Sequence, residues 1–168
     1  MKKLVAALIG LCFITSAHSQ VDFNTEFDKI VKADQKAVLL LNDLTSKYGY
    51  LQVRESLSPS STSNITKSNI PDEKISGLKQ VMKESRENYL NLFKSIYGKL
   101  SISNIPDFQK KIGEYAKARN LNPECLGCQS GCIAQWLTCM DAGVNENLCN
   151  AMKDLCLYDC AMHHCPIE

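Results

Sequence analysis

The chain has 168 residues, 45% of them apolar and 22% charged, with a formal net charge of +1. That is ordinary globular composition for one domain of modest size, and it excludes a disordered, collagen-like or multi-span membrane protein. A balance this close to neutral supplies no bulk attraction to nucleic acid, which is not expected as a partner.

Residues 1–19 read as a secretory signal peptide. Lys2 and Lys3 precede an apolar run from Leu4 to Ile14, and Ala17-His18-Ser19 sets small residues third and first before Gln20. The run falls short of the roughly 20 residues that cross a bilayer, and no later stretch is long and apolar enough, so no membrane span is expected. Cys12 follows Leu11, where a lipoprotein site would want a small residue. The mature chain is expected to start at Gln20 and to be secreted, or periplasmic if bacterial, where disulfides persist. Loss of Cys12 leaves eight cysteines, all between Cys125 and Cys165, an even number that fits four bridges.

Residues 20–120 read as a helical bundle. Phe27, Ile30, Val31, Val38, Leu41, Leu44 and Tyr48 recur at three- and four-residue steps, predicting one amphipathic helix from Phe23 to Tyr48, capped by Asn24 or Thr25 and closed by Gly49. Residues 55–69 hold eight Ser or Thr and Pro59, and read as a solvated loop. Within it Asn64-Ile65-Thr66 matches the N-glycosylation acceptor pattern. The pentapeptides from Ser68 to Asp72 and from Ser103 to Asp107 are identical and mark two helix starts. The first leads through Leu78, Met82, Tyr89 and Phe93 to Leu100; the second leads through Phe108, Ile112 and Tyr115 to about Asn120. Three such helices bury their apolar stripes on one another.

Residues 121–168 hold the cysteines. Asp141 to Asn145 is a turn signal. On a helix turning about 100° per residue, Cys128, Cys132 and Cys139 fall within a stripe of about 40°, and so do Cys149, Cys156 and Cys160. In an antiparallel hairpin, facing residues have numbers of constant sum. Cys139 with Cys149, Cys132 with Cys156, and Cys128 with Cys160 add to one total, and Cys125 with Cys165 misses it by two. The nested pairing Cys125–Cys165, Cys128–Cys160, Cys132–Cys156 and Cys139–Cys149 is therefore the geometric choice, with Gly127 and Gly131 small enough to let the backbones approach. Ile133, Trp136, Leu137 and Met140 flank one stripe, and Leu148, Met152, Leu155 and Met162 flank the other. One flank covers the bundle; the second is the candidate partner-binding face, for another protein, a second copy of this chain or a wrapped segment of the same chain.

Cys128-x3-Cys132 and Cys156-x3-Cys160 resemble the C-x3-C…C-x3-C framework of the α-hairpinins, which include plant defence peptides, protease inhibitors and scorpion potassium-channel toxins. A looser similarity links the chain to the con-ikot-ikot toxins of cone snails. The resemblance implies a recognition scaffold. Trypsin inhibition would need Arg or Lys in the connecting loop, and Met140 to Leu148 has neither. The channel toxins imply an exposed basic and aromatic dyad, for which Lys153 and Tyr158 are the candidates.

A second reading rests on chemistry. Cys125-x2-Cys128 has the spacing of a redox dithiol or half a zinc site, and His163, His164 and Cys165 add imidazole and thiol ligands. The hairpin pairing engages these cysteines, so structural bridging is preferred, with no cofactor expected. His163 and His164 are the only imidazoles after His18, and neither adjoins a nucleophile pattern, so no enzyme is expected. The sequence reads as an all-α, secreted, non-catalytic binding protein of toxin-like or defence type, with a metal-binding or thiol-redox protein as the alternative.

Overall fold

The computed structural model describes residues 21–58 and 69–165; the signal-like segment and Asn64 lie outside them. The described residues form helices and turns, with no strand among them. The elements are α1 (Phe23–Tyr48), α2 (Tyr50–Leu57), α3 (Asp72–Tyr97), a single 3₁₀ turn (Ile102–Asn104), α4 (Ile105–Ala118), α5 (Pro123–Asp141) and α6 (Glu146–His163).

The start of α1 is capped by Asp22, not by Asn24 or Thr25. The Asp22 carboxylate accepts from the Asn24 amide at 3.1 Å and the Thr25 hydroxyl at 2.6 Å, and these bonds hold its pKa below the ordinary value. Gly49, at φ +89°, ends α1 and starts α2 without a linker. α2 corrects the expected loop: Glu55, Ser56 and Leu57 are helical, and Val53 and Leu57 are buried. The two identical pentapeptides act differently. Pro71 stays outside α3, whereas Pro106 sits in the first turn of α4, and neither start has a side-chain cap. α3 stops at Gly98, φ +76°, so Leu100 lies beyond it.

α1 and α3 run antiparallel, with Phe27 beside Tyr89 and Asp34 beside Ser85. Two apolar clusters lie along this pair. One joins Phe27, Ile30, Phe93, Phe108 and Ile112 to Ile133, Trp136 and Leu137 of α5. The other joins Leu41, Leu44, Val53, Leu78 and Met82 to Tyr158 and Ala161 of α6. The α5–α6 hairpin therefore lies across the bundle, with α5 over one cluster and α6 over the other.

The hairpin turns at Gly143, φ +69°, and Asn145 caps α6 by accepting from the amides of Asn147 and Leu148. Disulfides join Cys125 to Cys165, Cys128 to Cys160, Cys132 to Cys156 and Cys139 to Cys149, with Cα separations of 4.6 to 5.7 Å. Gly127 and Gly131 are not needed for close approach: a Cβ at either would meet nothing within 4 Å. Among the described residues, no helix is long and apolar enough to cross a membrane.

Candidate functional site

Between the two apolar clusters lies a buried polar band. Ser85 of α3 donates to Asp34 of α1 at 2.5 Å, Tyr89 donates to the other Asp34 oxygen at 3.0 Å, and Lys153 Nζ of α6 stands 3.5 Å from Ser85 Oγ. The Lys153 ammonium lies 5.1 Å from the Tyr89 ring centroid and 5.3 Å from that of Trp136, so aromatic faces replace part of its hydration. Burial lowers its pKa to about 8 against the pull of Asp34 and Asp154, and burial raises that of Asp34 despite Lys153, Ser85 and Tyr89. Next to it Arg86 Nη1 donates to both oxygens of Asp154 at 2.5 Å. This band locks α6 onto α1 and α3.

The band corrects the dyad suggested by the channel toxins. Lys153 is 1% exposed and Tyr158 fully buried, so neither presents itself to a partner. Tyr158 stacks on Tyr50 and donates to its carbonyl oxygen at 3.1 Å. The sequence held a signal for Lys153, which follows Cys149 by four residues and precedes Cys156 by three, on the stripe that faces α5.

The outward surface of the hairpin is different. Leu148 and Met152 are 46% and 51% exposed, whereas Leu155 and Met162 are half-buried against the second apolar cluster. The proposed partner face is thus divided between solvent and core. Beside Met152 an open cavity of about 380 Å³ is bounded by Leu155, by Cys128, Cys156 and Cys160, and by His163 and His164. Asp159, on the same wall, accepts from the Tyr50 hydroxyl at 2.7 Å. The structure brings both histidines to this cavity but does not join Cys125 and Cys128 as a dithiol, since each is bonded across the hairpin.

A second, larger groove of about 560 Å³ runs between α4 and α5, walled by Ile112, Gly113, Ala116, Leu121, Leu126 and Gly127. It was not foreseen, because it depends on how α4 meets the hairpin. No protein-family model, curated protein or solved structure matches this chain.

Proposed function

We propose that the chain is an exported, non-catalytic binding protein of the effector or defence type, which recognises another extracellular or periplasmic protein through the outer face of its hairpin. The observation that carries this reading is the exposure of Leu148 and Met152 on a helical hairpin held by four disulfides. Large apolar side chains kept in water on a stapled helix cannot fold inward, and a pre-ordered surface loses little entropy when it binds. Methionine adds a flexible, polarisable contact that adapts to the partner. Cleavage before Gln20 and glycosylation at Asn64 belong to the same reading.

The test uses the mature, oxidised chain and the variant Leu148→Asp/Met152→Asp, both immobilised and offered the secreted and surface proteins of the source. Sedimentation of each form, free in solution, reads self-association. The variant, with unchanged circular dichroism and bond map, is expected to bind its partner at least ~10-fold more weakly, a loss of about 1.4 kcal/mol. Equal retention of the same partner by both forms would contradict the assignment of this face.

A further inference from the structure

We propose that the open cavity beside Met152 is a thiol–disulfide exchange site, at which an incoming dithiol is oxidised by the two central bridges of the hairpin acting in series. This goes beyond recognition and does not depend on Leu148.

Each central bridge joins a partly exposed cysteine to a buried one. Cys128 is bonded to Cys160, which is 1% exposed, and Cys156 is bonded to Cys132, which is 2% exposed. Cys128, Cys156 and Cys160 line the cavity, together with the imidazoles of His163 and His164. Behind them the two bridges touch: Cys132 Sγ and Cys160 Sγ, which are not bonded to each other, lie 3.4 Å apart. The sulfurs of Cys128, Cys132 and Cys160 all lie within 4.8 Å of one another, and among the described residues the outer bridges form no such cluster.

A thiolate attacks a disulfide sulfur and expels the other as a thiolate. A thiolate of the incoming dithiol reaches Cys128 Sγ from the cavity. A bond forms from the dithiol to Cys128, the Cys128–Cys160 bond breaks, and the electron pair leaves on Cys160. That thiolate is buried, an unfavourable place for charge, and Cys132 Sγ is its neighbour. Attack there makes a Cys132–Cys160 bond, breaks Cys132–Cys156 and expels a thiolate on Cys156, which takes up a proton at the cavity. The second thiolate of the dithiol then closes on its own partner sulfur and displaces Cys128, which is protonated in turn. The dithiol has lost two electrons and two protons, and the hairpin has gained them as the thiols of Cys128 and Cys156. Both new thiols belong to partly exposed residues, and the new inner rung keeps α5 and α6 stapled.

The oxidised mature chain, Gln20 to Glu168, which lacks Cys12, is treated with one molar equivalent of dithiothreitol, quenched with acid, alkylated and mapped by mass spectrometry after peptic digestion. The expected result is alkylation concentrated on Cys128 and Cys156, with a peptide linking Cys132 to Cys160. Alkylation of Cys128 with Cys160, or of Cys132 with Cys156, while the other bridge stays intact would overturn the series mechanism, as would prior reduction of an outer bridge. The variant Cys128→Ser/Cys156→Ser supplies a second test: once oxidised and folded, it should titrate with no free thiol. Two free thiols in the folded variant would count against the proposal, and should it fail to fold, the map of the wild-type chain decides alone.

Discussion

The bundle and the hairpin are held by different physics. In the bundle, Phe27, Phe93 and Phe108 are fully buried and meet other aromatic rings edge to face. The hairpin has only a small cluster of its own, Cys132, Leu157 and Cys160, and turns most of its other buried apolar residues toward the bundle. Burial stabilises the first region and covalent rungs the second. A region held by burial cannot leave its stripe in water without losing stability, at roughly 25 cal/mol per Å². The rungs keep the hairpin ordered with Leu148 and Met152 in water, whereas the exposed apolar residues of the bundle, Leu39 and Leu51, lie off its buried stripes.

The polar band is where the two regions meet, and it gives the largest expected effect. Lys153→Met or Asp34→Asn leaves a buried charge without its partner and should each cost about 3 to 5 kcal/mol in urea unfolding. The double variant removes both charges and should recover most of that loss; strictly additive losses would show that the two groups do not interact. The pH dependence has a definite sign. Folding lowers the Lys153 pKa from 10.5 to about 8, among Asp34, Asp154, Arg86 and Tyr89. Between these values the unfolded chain holds a proton that the folded chain lacks, so stability rises with pH from about 8. Near 10 the tyrosines oppose it, since Tyr115, raised to about 12, keeps its proton only when folded. Lys153→Met should abolish the rise.

The rungs give the next effect. A bridge closing a 40-residue loop alone would contribute about 4 kcal/mol on the chain-entropy model. Cys125–Cys165 does not close that loop alone, because Cys128–Cys160 already holds most of it. Cys125→Ser/Cys165→Ser should therefore cost only about 2 kcal/mol, read from unfolding of the oxidised proteins. A loss near the full loop value would mean that the rungs act independently.

How far these features were legible depends on how many positions carried each one. α1 was readable from Phe23 to Tyr48 because seven apolar positions kept one period over its 26 residues. The all-helical class and the stapled hairpin were readable for a similar reason: a constant sum of cysteine numbers is the imprint of two antiparallel rods. α2 was missed because eight residues with two buried side chains carry little periodicity, and the Ser/Thr-rich segment hid its end. Asp34 stands seven residues from both Phe27 and Leu41 and so shares their inward stripe, but a single carboxylate among apolar positions does not announce a buried pair. Its countercharge Lys153 lies more than a hundred residues away, and its hydrogen-bond donors Ser85 and Tyr89 stand on another helix, so no local pattern joins them.

The smallest effect tests whether the hairpin's glycines serve the rungs at all. Gly127 and Gly131 lie inside α5, where each costs roughly 1 kcal/mol relative to alanine. If closeness of the two backbones required them, Gly127→Ala and Gly131→Ala would strain the neighbouring bridges and lower the melting temperature. The space around both is open, so each substitution should instead stabilise the oxidised chain by up to about 1 kcal/mol. Gly49→Ala is the control, because at φ +89° a side chain is strained even in open space, and it should destabilise. Opposite signs at the two kinds of site would show that glycine in α5 is tolerated because the rungs carry the helix, whereas the glycine between α1 and α2 is required by the path of the chain.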